Sequence, residues 1–117
     1  MALHTKDALK TQPLDVWKKL EGDTALGHVP STEFPGQFGH IMGGYQVGYY
    51  GYMWSEVMAL DMLSAFGDNL NNPEVGARYR KAILSQGGQK KAAQLVVDFL
   101  GREPDNKAFF KEITGQR

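Results

Sequence analysis

The segment from about Val47 to Phe66 constrains the fold more than any other part of the chain. Tyr50, Met53, Trp54, Val57 and Leu60 form a stripe with the i, i+3, i+4, i+7 spacing of a helix. Met58, Met62 and Ala65 carry apolar character around another side, and only Ser55, Glu56, Asp61 and Ser64 are clearly polar. A helix that is apolar nearly all round normally lies inside a sizeable protein. A chain of 117 residues has little material to wrap it, so the pattern predicts a helix that needs a partner surface. Glu56 and Asp61 are expected to be buried or half-buried on it, in a structural ion pair with Arg78 or Arg80.

The flanking sequence is helical as well. Pro13 sits where a first-turn proline is tolerated, and Leu14, Trp17 and Leu20 follow at helical spacing, which predicts a short helix ending near Ala25. Downstream, Asn72-Pro73-Glu74 is a helix start, followed by the apolar positions Val75, Tyr79, Ala82 and Ile83 and stopped by Gly87-Gly88. Ala92, Leu95, Val96, Phe99 and Leu100 make the next amphipathic pattern, ended by Gly101. Pro104-Asp105 opens a last helix with Phe109, Phe110 and Ile113 turned inward. No alternating β-branched run exists, so the expectation is an all-α domain of about five helices spanning residues 1–117. Between Leu26 and Gly44 the glycines and prolines predict a long irregular connection, of a length that is usually functional. Its stretch from about Pro35 to Gly48 is expected to be mobile.

Composition narrows the function classes. Thirteen basic and thirteen acidic residues give a formal net charge of zero, which offers no electrostatic case for nucleic acid or an anionic membrane. With no cysteine, disulfides, thiolate catalysis and sulfur-ligated metals are excluded. No apolar run has the length of a signal-peptide core or a membrane span. A soluble, cytoplasmic protein is the expectation. The three histidines, His4, His28 and His40, are followed by Thr5, Val29 and Ile41, so none belongs to an H-E-x-x-H pair, and no other pair stands at ligand spacing. No metal-ligating residues are therefore assigned within one copy of the chain.

The run Gly43-Gly44-Tyr45-Gln46-Val47-Gly48-Tyr49-Tyr50-Gly51-Tyr52 interleaves four tyrosines with glycines that follow no phosphate-loop order. Glycine lets backbone approach a ligand closely, and a phenol can donate to a polarised carbonyl or a developing oxyanion. If helical geometry already holds there, Tyr45, Tyr49, Tyr52 and Glu56 share one face. Close-packing aromatics with glycines for helix contact explain the same residues equally well. The pairs Lys90-Lys91 and Arg102-Glu103 read as solvated faces.

The string from Phe38-Gly39-His40 through Gly43-Gly44-Tyr45 and Tyr49-Tyr50-Gly51-Tyr52 to Trp54-Ser55-Glu56-Val57 resembles the tyrosine-rich loop and following helix of the thimet oligopeptidase family, peptidase family M3. The likeness continues through Asn72-Pro73-Glu74-Val75-Gly76-Ala77-Arg78-Tyr79-Arg80, Gly87-Gly88 and Asp98-Phe99-Leu100-Gly101-Arg102-Glu103-Pro104, and includes the opening Ala2-Leu3-His4-Thr5. These are large, mostly helical zinc enzymes that cut short peptides in a deep channel. The resemblance implies the C-terminal part of such a catalytic domain. By that resemblance Tyr52 and His40 are the catalytic candidates, Tyr52 as donor to the scissile carbonyl and its oxyanion, and His40 as an aid to substrate near the zinc. Tyr45, Tyr49, Gly43 and Gly44 are the substrate-binding candidates, the tyrosines on the peptide backbone and the glycines as hinges. Gln46 stands where some relatives carry an acid.

The family's H-E-x-x-H motif and downstream glutamate are missing from these residues. The chain is therefore expected to contain no cofactor of its own, zinc belonging to the complete family enzyme, and to be inactive alone. Met1 falls at a position internal to such enzymes, so a truncated product is expected. Its partners would be short peptides and either the missing zinc-binding half or a second copy. A different reading is a stand-alone, non-enzymatic helical module that binds peptides or oligomerises through its apolar faces. A third is a metal site shared between copies through His4, His28 or His40.

Overall fold

The computed structural model describes residues 2–4 and 7–116. Met1, Thr5, Lys6 and Arg117 lie outside the described residues, so the opening motif is covered only as far as His4. The fold is all-α, with no strand among the described residues. Seven α-helices follow one another there: α1 (Pro13–Gly22), α2 (Phe34–Gln37), α3 (Gly39–Met42), α4 (Gly51–Ser64), α5 (Pro73–Tyr79), α6 (Ala92–Leu100) and α7 (Lys107–Ile113). The chain divides into two compact units, residues 1–49 and residues 50–117.

In the N-terminal unit, two 3₁₀ turns at Ala2–His4 and Ala8–Lys10 precede α1. Pro13 occupies the first turn of α1, where its missing N–H leaves no bond unmade. Helix α1 ends at Gly22, three residues before the expected limit, because Thr24 turns back onto Glu21 through its backbone N–H and its hydroxyl. His28 Nδ1 and Glu21 Oε2 then meet at 2.5 Å, pinning the chain as it leaves. The connection from Leu26 to Gly44 is less irregular than its composition suggests. Pro35 in the first turn of α2 favours helical φ, and two single-turn helices, α2 and α3, occupy the stretch from Phe34 to Met42. Trp17 on α1 stacks on Phe34 (ring centroids 4.8 Å), and Phe34 stacks on Phe38 (5.1 Å). The indole N–H of Trp17 is shielded from solvent without a hydrogen-bond partner among the described residues. That is a cost of about 1–3 kcal/mol in a unit where no described residue is fully buried.

The C-terminal unit has an interior. Leu95, Val96 and Phe99 on α6 and Phe109 on α7 are buried, with Phe99 only 1% exposed. Tyr79 meets the Phe99 ring edge-on at 5.4 Å, and the Arg78 guanidinium lies 5.3 Å from its centre. Helix α5 starts as its sequence dictates: Asn72 Oδ1 accepts from the backbone N–H groups of Glu74 and Val75. Its continuation, Arg80–Leu84, widens into a π-type turn in which Ser85 N–H donates to Arg80 O at 2.9 Å. Helix α6 ends on Gly101 at φ 71°, the left-handed conformation that glycine adopts without a Cβ clash.

Several expectations for this unit fail. Helix α4 begins at Gly51 instead of about Val47. Phe110 and Ile113 of α7 are more than half exposed, because this short helix buries only the side that carries Phe109. Asp61 is buried but pairs with neither Arg78 nor Arg80. Its partner is Arg102, which is exposed as expected but ion-paired, and Glu56 is exposed where burial was expected.

Candidate functional site

His40 lies in the first turn of α3, and its carbonyl accepts from the backbone N–H of both Gly43 (3.2 Å) and Tyr45 (3.1 Å). This pair of bonds folds the chain back immediately after the helix. Gly44 makes the reversal at φ 106°, where a side chain would be strained. A Cβ on Gly43 would sit 3.3 Å from the Gly39 carbonyl oxygen, a tight contact, whereas the positive φ of Gly44 itself calls for glycine. Gly48 N–H then donates to Tyr45 O in a second turn.

The reversal brings three of the candidate side chains together. The His40 ring centre lies 5.6 Å from that of Tyr45 and 5.5 Å from that of Tyr49, and the two tyrosines are 6.3 Å apart. All three pairs are steeply inclined, the edge-to-face geometry that aromatic quadrupoles prefer. Phe38 supports the group, 4.8 Å edge-on from Tyr49 and 5.5 Å from His40. The row thus runs without a break from Trp17 through Phe34 and Phe38 to the His40–Tyr45–Tyr49 cluster. His4 adds a tie to the loop, its Nε2 lying 2.9 Å from the Gln46 carbonyl oxygen. The three cluster residues remain exposed at one surface, with polar ring atoms beside an aromatic floor.

Tyr52 belongs to the C-terminal unit, in the first turn of α4, and is 53% exposed. Gly48 disfavours helix ahead of it and α4 begins only at Gly51, so the shared helical face proposed for Tyr45, Tyr49, Tyr52 and Glu56 does not form. Tyr49 lies in a turn and Tyr45 in irregular chain between two turns. Farther along α4, Asp61 is 1% exposed and accepts from both Arg102 guanidinium NH groups, the Nη1 contact at 3.1 Å, and from Asp105 N–H at 2.8 Å. Its hydrogen bond to Asp61, and then the nearby negative charges of Asp61 and Asp105, hold the Arg102 pKa above its ordinary value. Sequence reasoning placed Asp61 correctly and missed its partner. The aromatic row from Trp17 to Phe38 was missed as well, although three large rings flanking a glycine-rich loop are visible in the sequence.

Two apolar concavities, each of about 290 Å³, lie elsewhere. One is in the N-terminal unit, between α1 and the α2–α3 stretch, lined by Trp17, Leu20, Phe34 and Phe38 among others. The other lies between α4 and α7, lined by Tyr50, Met53, Trp54, Val57, Asn106, Phe109 and Phe110. Neither is lined by His40, Tyr45, Tyr49 or Tyr52. Among the described residues no group of three or more His, Asp or Glu side chains could hold a metal ion. One ring nitrogen of His4 faces a carbonyl and one of His28 a carboxylate.

The family model of Peptidase family M3 matches residues 1–115. The chain belongs to this peptidase family. It is 40% identical to saccharolysin of Saccharomyces cerevisiae over 97% of its own length and 17% of that protein's. Thimet-like oligopeptidase of Dictyostelium discoideum is 34% identical over 88% of the chain and 16% of that protein. Oligopeptidase A of Haemophilus influenzae is 38% identical over 92% of the chain and 16% of that protein. The chain therefore spans about a sixth of the length of these curated relatives. No helix among the described residues is long and apolar enough to cross a membrane.

Proposed function

We propose that this chain is the C-terminal part of an M3 oligopeptidase catalytic domain, one contiguous portion that serves the substrate side of a zinc peptidase. The match to the family along residues 1–115, with the His40–Tyr45–Tyr49 cluster on its hinged loop, carries the reading. Tyr52 donates a hydrogen bond to the carbonyl oxygen of the scissile peptide bond and holds it as negative charge develops. His40 assists in seating the substrate, and Tyr45 and Tyr49 contact the peptide backbone. Gly43 and Gly44 let the loop close and exclude water from those bonds. The substrates are short peptides, and the compartment is the cytoplasm. The zinc on which the family depends falls to residues outside this chain, and the chain alone does not hydrolyse peptides.

The test is a chimera in which residues 1–115 replace the matching segment of an M3 oligopeptidase. Tyr52→Phe in that chimera is expected to lower kcat by about 10²–10³-fold, the cost of one oxyanion donor. An undiminished kcat after that substitution contradicts the role.

A second reading is a stand-alone helical module that binds peptides or self-associates. It is favoured by the open flank of α4, where Tyr50, Met53 and Trp54 are all more than half exposed. A monomer in sedimentation velocity, with no metal-free affinity for peptides, would remove it.

A further inference from the structure

Helix α4 has a difficulty that its apolar side chains cannot solve. Apolar residues occur on every side of it, so burial alone does not decide which side turns inward. The only fully buried residue on α4 is also its only buried charge, Asp61. Its carboxylate takes two bonds from the Arg102 guanidinium and one from Asp105 N–H, all on the connection between α6 and α7. No other rotation of α4 about its axis supplies these charge-assisted bonds, and any other leaves the Asp105 donor unmet.

We infer that the Asp61–Arg102 pair is a positioning device that selects the rotation of α4 and thereby turns Tyr52 outward. Tyr52 and Asp61 are nine positions apart, and at about 100° per residue they stand about 180° apart around the helix. Clasping Asp61 inward therefore directs Tyr52 to the opposite side, in agreement with their exposures of 1% and 53%. A buried ion pair contributes little net stability against an apolar replacement, and its best-attested use is to choose one packing among several. The functional consequence, a fixed direction for the Tyr52 phenol, rests on the oxyanion role proposed above. The rotation itself does not.

The chain has no cysteine, so single thiols report the rotation directly. Tyr52→Cys and Met58→Cys place one thiol on the exposed side and one at a half-buried position beside Asp61. In the parent chain the thiol at 52 is expected to react several-fold faster than that at 58, since the latter is partly shielded. In the Asp61→Leu, Arg102→Leu background the two rates should converge to within about twofold while cooperative urea unfolding persists. Asp61→Asn, which keeps the shape and weakens the bonds, should give an intermediate ratio. A cooperative double variant, or a folded Asn variant, that keeps the parent ratio overturns the inference. Loss of cooperative unfolding in the double variant also overturns it, because the pair would then serve stability and not the choice of face. Failure of Tyr52→Phe to impair the chimera would leave this ratio untouched, so the two ideas fail separately.

Discussion

In residues 1–49 the aromatic side chains touch one another in a row, and each ring keeps part of its surface in solvent. In residues 50–117 Leu95, Val96, Phe99 and Phe109 are withdrawn together, and Asp61 is buried with its hydrogen bonds made. The same chain thus contains two kinds of order. The first is a stacked surface held by ring contacts and turns. The second is a small core with a polar clasp. The candidate loop of His40, Tyr45 and Tyr49 stands on the first kind, and Tyr52 stands on a helix anchored by the second. On the proposed reading the difference has a use: a loop that closes on substrate is drawn from the less stable part of a structure, whereas a donor aimed at one atom needs a fixed support.

The largest effect separating the two regions should come from their rings. Phe99→Ala removes a fully buried side chain and is expected to cost about 3–5 kcal/mol. Phe34→Ala removes a 42% exposed ring and two stacking contacts, at about 1 kcal/mol. Urea unfolding read by amide exchange in each region measures both, and equal losses would break the distinction. Next come the ion pairs. Asp61→Ala is expected to cost about 2 kcal/mol, less than a fully buried pair because Arg102 keeps access to water. Glu21→Ala in the N-terminal unit, which loses the His28 contact, should cost about 0.5 kcal/mol.

Helix ends sharpen the comparison further. Asn72→Ala deletes a cap that satisfies two N–H groups and should cost about 1 kcal/mol, confined to exchange in α5. The smallest effect is on acid stability. Lys90 and Gln94 hold the Asp98 carboxyl below its ordinary pKa, and Lys107, chiefly through its backbone N–H, does the same for Asp105. A depressed carboxylate contributes stability that is present above its unfolded pKa and lost as pH falls through its folded value. Residues 50–117 should therefore loosen below about pH 4, and Asp98→Asn should remove part of that dependence. Both carboxylates are exposed enough that added salt should weaken the effect.

Most of the fold was legible in the sequence because helix punctuation is local. Pro13, Asn72-Pro73 and Gly101 act within one turn of where they stand, and each starts or ends the element its residue type implies. The family string was legible for the same reason, as an ordered run of residues. Long-range choices were not. Arg102 reaches Asp61 across 41 positions, a pairing no local pattern signals over Arg78 or Arg80. The start of α4 was misjudged because the apolar spacing continues through Val47 and Tyr50 while Gly48 between them favours a turn. Phe110 and Ile113 show that helical spacing proposes a face, and only the neighbouring elements decide how much of it is covered.

The central claim is tested most directly by incubating the purified chain with an internally quenched fluorescent peptide, with and without added zinc. The account predicts no turnover in either condition, because on the proposed reading this chain supplies only the substrate side of a zinc peptidase. Zinc-dependent cleavage that falls in the Tyr52→Phe variant would contradict it, and would mean that copies of this chain assemble a complete active site.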